Sequence, residues 1–289
     1  MTLQVEHVSI LTDDIEKSLD FYRNNLGMQV TERFLQKDLG DIAVLHDGPA
    51  STTYSMHLIG PPYAGWVKEI YQEHGPSMAH HAFKVTDLDG WREKLESAGV
   101  EVVAPPRPFL TYRSMYFRDS SGTVFELLEY PDVGLASVPK AGIESPSGID
   151  YYFNHISILC NDLAELERFY INNFGMQNVF DRREAGYLLL ADPEFIANET
   201  REAVTLEIMG REAEWDREQT FLAEHGPGLD HTCFVVEDVD AAYEDLVERG
   251  VEFPYPPEDA GTNRLAFFKD PSGVDVELML SIPRSALTV

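Results

Sequence analysis

The chain is written twice. Residues 21–30, FYRNNLGMQV, return as FYINNFGMQN at 169–178, with seven of ten positions identical. VEHVSILTDD (5–14) returns as FNHISILCND (153–162), and GPSMAHHAFKVTDLD (75–89) as GPGLDHTCFVVEDVD (226–240). The offset is 148 at the start of each copy and 151 at its end, so the second copy carries a few extra loop residues. A period this long means duplicated domains rather than a solenoid, whose units run to about 20–50 residues. The Pro, Gly and Ser content of YPDVGLASVPKAGIESPSGID (130–150) reads as the connection. The expected organisation is a first domain at 1–132, a linker at 133–150 and a second domain at 151–289.

Each copy divides again. A short alternating strand, VEHVSI, leads to Asp13 and Asp14, an N-cap region, and then to the amphipathic stretch IEKSLDFYRNNLG, which stops at Gly27. Strands MQVTERF, IAVLHD and SMHLIG follow. The same order restarts at HHAFKVTDLDGWREKLESAGVEVVAPP, where Gly99 closes the helix, and finishes in the hairpin RSMYFRDSSGTVFELLEY. Four βαβββ modules result, an α+β chain.

Composition narrows the class. With 289 residues, 44% of them hydrophobic, each half can bury a core. No apolar run reaches the roughly 18 residues a membrane helix needs. The first residues read as a strand rather than a leader, so a cytoplasmic location is expected. Cys160 and Cys233 form no disulfide framework and are expected to be buried thiols. Fifty acids against 22 bases give a net charge of −28, which repels nucleic acid and anionic lipid. The acids spread along the whole chain, as solubility or a high-salt habitat would also produce. A small-molecule substrate is the expected partner, with a homodimer left open.

Strand alternation sorts residues onto two faces. Val8 and Ile10 oppose His7 and Ser9; in the second copy Ile156 and Ile158 oppose His155 and Ser157. Phe83 and Val85 oppose His80 and Ala82, just as Phe234 and Val236 oppose His231 and Cys233. The apolar faces suit helix packing; a face bearing histidine beside a small residue suits a cleft. Glu126 and Glu277 interrupt otherwise apolar strands, where a carboxylate is costly unless solvated or paired. The fourth strand offers His57 in one copy and Glu207 in the other.

The module order, the HGPG…H…F.V.D.D stretch and the D.SG…E hairpins resemble the vicinal oxygen chelate superfamily: glyoxalase I, methylmalonyl-CoA epimerase, extradiol dioxygenases and bleomycin-resistance proteins. The resemblance implies two tandem glyoxalase-like domains, each a curved mixed sheet enclosing a cleft with a divalent metal at its base. By position it implies metal ligands His7, His80 and Glu126, then His155, His231 and Glu277, with His57 and Glu207 as fourth ligands or proton-transfer residues. The ions it implies are Zn, Ni, Co, Mn or Fe(II). Arg113, Arg264 and Tyr116 are candidates for holding substrate, although a structural ion pair suits the arginines equally. His74 and His225 read as helix C-terminal residues complementing the dipole. His81, matched by Thr232, is set aside as incidental.

The implied chemistry is chelation of vicinal substrate oxygens and proton movement through a metal-bound enediolate, as in a lyase, isomerase or epimerase. Glu207 is the leading base in the second site, with His57 in that role in the first. The alternative is an Fe(II) extradiol dioxygenase, which would use His155, His231 and Glu277 in the second copy. Its histidine-and-tyrosine signature before the D-P-x-G turn is missing: NRLAFFKDPSG has Phe267 and no histidine. A drug-binding resistance protein is the third reading and needs no His/Glu set. A helix read in PPYAGWVKEIYQEHGP favours pairing of modules within a copy, not across copies.

Overall fold

The computed structural model describes residues 3–37, 39–46, 55–109, 112–130, 152–192, 205–211, 216–260 and 263–280. The expected linker at 133–150 lies outside the described residues. The first copy runs β1 (Leu3–Leu11), α1 (Ile15–Leu26), β2 (Gln29–Gln36), β3 (Gly40–His46), β4 (Ser55–Gly60), α2 (Gly65–His74), β5 (Met78–Val85), α3 (Leu88–Ser97), β6 (Val102–Phe109), β7 (Tyr112–Arg118) and β8 (Val124–Glu129). The second copy runs β9 (Tyr152–Leu159), α4 (Leu163–Phe174), β10 (Gln177–Arg182), a 3-10 turn, β11 (Tyr187–Ala191), β12 (Thr205–Met209), α5 (Asp216–His225), β13 (Gly228–Val236), α6 (Val239–Glu248), β14 (Glu258–Ala260), β15 (Asn263–Lys269) and β16 (Asp275–Leu280).

Each copy closes on itself. Its eight strands form one curled mixed sheet in the order β2-β3-β4-β1-β5-β8-β7-β6, repeated as β10-β11-β12-β9-β13-β16-β15-β14. The modules therefore pair within a copy, joined at the antiparallel contacts β1–β5 and β9–β13. Helix α2 sits between the modules and ends at His74; α5 ends at His225, so both imidazoles lie in the last turn as read.

Helices α1 and α4 begin and end alike. Asp14 and Asp162 accept the backbone N–H of Lys17 and Glu165, and Gly27 and Gly175 close them at φ 66° and 70°. Ile15, Leu19, Tyr22 and Leu26 form the buried stripe of α1; Leu163, Leu166, Tyr170 and Phe174 form that of α4. These stripes do not face only their own sheets. One core cluster runs through both copies, with Phe174 stacked on Trp91 at 5.3 Å and Phe21 against Phe268 at 6.0 Å.

Two reciprocal hydrogen bonds pin this seam. The Tyr22 hydroxyl donates to Asp270 Oδ2 at 2.8 Å, and the Tyr170 hydroxyl donates to Asp119 Oδ2 at 2.7 Å. Both aspartates also accept the N–H groups of their own turn: Ser121 and Thr123 for Asp119, Ser272 and Val274 for Asp270. The repeated pieces of the duplication, the tyrosine of FY..N and the aspartate of D.SG, thus meet across copies. His81 belongs to the seam as well, and its dismissal as incidental is corrected. It is fully buried with Nε2 3.1 Å from the Tyr170 hydroxyl. Because that hydroxyl gives its proton to Asp119, His81 must donate from Nε2 and stay neutral; burial lowers its pKa to about 3.

Burial pushes the Asp270 carboxyl up to about 6, while the Tyr22 bond favours the charged form. A raised folded pKa means this group's contribution to stability is greatest at acid pH and declines as pH rises through about 6. Tyr22→Phe and Tyr170→Phe each take a hydroxyl donor away from a buried carboxyl group, a loss of about 1.5–3 kcal/mol. Denaturant titration should show that loss in each variant, and for Tyr22→Phe a loss larger at pH 8 than at pH 5; unchanged midpoints would contradict the seam.

Candidate metal centres in the two clefts

Strand register brings the candidate ligands together. His7 on β1 and Glu126 on β8 both pair with Ala82 on the strand between them, β5; His155 and Glu277 both pair with Cys233 on β13. Side chains directly across a pair stand about 5 Å apart, so the small central residue leaves a hollow between imidazole and carboxylate. His80 and His231, two residues along the central strand, share that face and close the third side.

In the first copy His7 Nε2 lies 3.2 Å from His80 Nε2, and Glu126 Oε2 lies 3.3 and 3.4 Å from the two. In the second, His155 Nε2 and His231 Nε2 are 3.2 Å apart, with Glu277 Oε2 at 3.1 and 3.4 Å. Glu207 Oε2 is 3.6 Å from both imidazoles and forms a further candidate group with them. Two donors held about 2.1 Å from one ion are separated by about 3.0 Å at a right angle and about 3.4 Å at the tetrahedral angle. Both clusters match that spacing, and imidazole with carboxylate suits Zn, Mn, Fe, Co or Ni. The residues therefore fit a divalent ion.

His57 does not group with His80 and Glu126; its ring nitrogens lie instead with His7 and Glu6. Its ring stacks on His7 with centroids 3.7 Å apart, and its Nε2 meets Ser55 Oγ at 3.2 Å. The two copies thus differ at the fourth-strand position, where Glu207 lies near both imidazoles and His57 stacks on one.

The protonation pattern follows from what backs each ring. Burial alone would lower His7, but the adjacent Glu6 carboxylate bonded to Nδ1, together with Glu126, raises it to about 9. Burial likewise opposes the charge on His231, yet Asp230 at 2.7 Å from Nδ1 and Glu277 raise it to about 10. His80 is lowered, by burial first. Facing nitrogens at 3.2 Å need one donor and one acceptor, and in the first copy His7 supplies the proton.

The carboxylates behind the rings escape a reading by strand alternation. Glu6 and Asp230 each precede a site histidine and should point to the opposite face. Register shifts fall at both places, between Val5 and His7 and between Leu229 and Thr232, so a bulge turns these side chains back to the ring. Glu6 also accepts the Tyr130 hydroxyl at 2.8 Å, and Asp230 is held by Arg217, which reaches Asp275 and lies 4.3 Å from the Phe267 ring centroid. In the first copy Ala79 replaces Asp230, and His80 Nδ1 is buried with no partner. The Cys233 thiol borders the second cluster and stays protonated, its pKa raised by burial and then by Glu277.

Tyr116 is buried in the first cleft, directly across from Glu126 and 5.4 Å from the His80 ring. Arg113 and Arg264 are not in the clefts. They lie on the helix faces, where Arg113 grips Asp89 of α3 and Glu129, and Arg264 grips Asp240 of α6 and Asp259. The ion-pair reading of these arginines replaces the substrate-holding one. Their strand neighbours Met115, Phe117, Ala266 and Phe268 face the core, so parity excludes the cleft. Both cysteines are buried and neither is in a disulfide, as read.

The sequence matches the Glyoxalase/Bleomycin resistance protein/Dioxygenase superfamily over residues 4–127 and 152–278, and the chain belongs to that superfamily. It is 25% identical over 280 residues to anthracycline biosynthesis protein DauV of Streptomyces sp. strain C5, covering 94% of this chain and 92% of the relative. It is 23% identical over 315 residues to lactoylglutathione lyase of Schizosaccharomyces pombe, covering 96% of each. The 2,3-dioxygenase LapB of Pseudomonas sp. KL28 shares the fold with a TM-score of 0.66 at 17% identity, over 96% of this chain and 92% of that one. No helix among the described residues is long and apolar enough to cross a membrane.

The raised values at His7 and His231 fix a pH dependence for chelator-treated protein. A histidine pKa raised on folding stabilises fully below about 6.5 and ceases to do so as pH passes about 9 to 10. Denaturation midpoints of metal-free protein should fall between pH 7 and pH 10, and His7→Gln should flatten that fall. A flat profile in the unaltered protein would contradict the assigned charges.

Proposed function

We propose that the chain is a divalent-metal-dependent enzyme whose second cleft carries glyoxalase- or epimerase-type proton transfer, with Glu207 as the base. The observation that carries this reading is the position of Glu207, whose Oε2 stands 3.6 Å from both His155 and His231 Nε2, slightly outside the tighter trio with Glu277. A bound divalent ion would supply a Lewis acid for adjacent substrate oxygens. Glu207, on the neighbouring strand β12, is then placed to take a proton from the carbon beside those oxygens and return it to the next. His155, His231 and Glu277 would hold the ion, while Asn154 Oδ1 at 3.0 Å from His155 Nδ1 and Asp230 behind His231 orient the rings. The full-length similarity to a lactoylglutathione lyase supports the same direction.

The first cleft supports a second reading. Two histidines and one carboxylate, with His57 turned aside, are the donor set of a facial-triad Fe(II) site, and the buried Tyr116 phenol lies beside it. On this second reading, ring-cleaving oxygenation belongs to the first half.

Glu207→Gln keeps the size of the side chain and removes the base. With the hemithioacetal of methylglyoxal and glutathione, or an epimerisable 2-methyl-3-oxo thioester, kcat should drop by about 10²–10⁴ while bound metal is retained. His155→Ala should lose metal and activity together. Full activity in Glu207→Gln would remove it from catalysis, and catechol turnover that survives His155→Ala but not His7→Ala would favour the second reading.

A further inference from the structure

The two clefts part company along their walls. Opposite Ser114 of β7 the first copy has Arg107 on β6; opposite Leu265, the matching position of β15, the second copy has Glu258. Where the second copy has Arg217 above Phe267, the first has Trp66 above Tyr116, at 4.7 Å between ring centroids. Arg217 is surrounded by acid: Asp230 at 2.5 Å, Glu218 at 2.5 Å and Asp275 at 3.2 Å. Among the described residues Arg107 has no such company.

Arg107 Nη2 is buried and makes no hydrogen bond, and Trp66 Nε1 is buried and equally unmet. Buried donors are normally satisfied, and charged ones are the most costly to leave bare. In a chain with 50 acidic residues a partner for one guanidinium is not scarce. Trp66 packs on Tyr116, and Arg107 stands directly opposite Ser114, two residues along the strand from Tyr116. Register puts Arg107, Ser114, Tyr116 and Glu126 on one face of the sheet. Arg107 and Glu126 are two strands and two residues apart, a span of about 12 Å, the reach of one ring bearing a short acid arm.

We propose that the first cleft is an anion-accepting site: Arg107 and the Trp66 indole N–H bind the carboxylate of a small aromatic acid whose ring lies along Tyr116. The ring's far edge, with vicinal oxygens, then points to His7, His80 and Glu126; only this last clause rests on the metal reading above. The second cleft, with Glu258 at the matching point and its arginine already neutralised, has no such preference. The two halves would therefore take different ligands.

The test is calorimetric titration of protein as purified with 3-(3,4-dihydroxyphenyl)propanoate and with its methyl ester, which keeps shape and ring oxygens but removes the charge. The acid should bind at least about tenfold tighter than the ester, one bidentate charge-assisted contact's worth. Arg107→Gln should erase that ratio and Arg107→Lys restore part of it, while Arg113→Gln, altered in a surface ion pair, should leave it unchanged. Equal binding of acid and ester, no binding of either, or a ratio that survives Arg107→Gln overturns the proposal. His7→Ala separates the two readings. If it weakens acid and ester alike, both stand; if it changes neither while Arg107→Gln erases the ratio, the anion site stands and the metal role of the first cluster falls.

Discussion

Everything at the two sites depends on one pairing at the centre of each sheet. Two modules meet edge to edge, β1 on β5 and β9 on β13, and the residue that faces both the first-strand histidine and the hairpin glutamate is small, Ala82 or Cys233. A larger side chain would fill the space in which two imidazoles and a carboxylate now converge. The pairing also explains why neither module is a site by itself. Each contributes part of the donor set, and only their register makes the parts meet.

The duplication serves a second purpose. With helices α1 and α4 packed between the sheets, each copy supplies a tyrosine to an aspartate turn of the other. The aspartates are buried beside apolar rings, a placement that holds only because the turn N–H groups and the incoming hydroxyl satisfy them. The hairpins that carry Glu126 and Glu277 are the same hairpins whose turns hold Asp119 and Asp270. A seam on the other face of the sheets thus bears on the strands that present the carboxylates.

Much of this was legible in the residues. Self-similarity revealed the copies, alternation separated His7, His80 and Glu126 from the core-facing Val8, Phe83 and Phe125, and capping residues marked the helices. What alternation could not reveal was set by departures from it. Bulges swing Glu6 and Asp230 behind the rings they precede, against the parity of a regular strand. Arg113 and Arg264 attract attention through equal spacing from a glutamate, yet an odd count along a hairpin places them on the helix side. Arg107 hides among the prolines of VVAPPRPF, where no periodic pattern assigns a face. His81 looked unpaired because its partner, Tyr170, lies in the other copy.

The copies have kept the scaffold and diverged in the walls. One cluster is backed by glutamate at the first-strand histidine and roofed by tryptophan; the other is backed by aspartate at the central-strand histidine and roofed by a neutralised arginine. The central claim remains that each half gathers its donors around one cation. Its most direct test is anomalous diffraction from crystals of protein purified without added metal, measured across the absorption edges of Mn, Fe, Co, Ni and Zn. The account predicts a peak about 2.1 Å from His155 Nε2, His231 Nε2 and Glu277 Oε2, and a second among His7, His80 and Glu126. No peak at either cluster in catalytically active crystals, or ions bound only elsewhere, would contradict it.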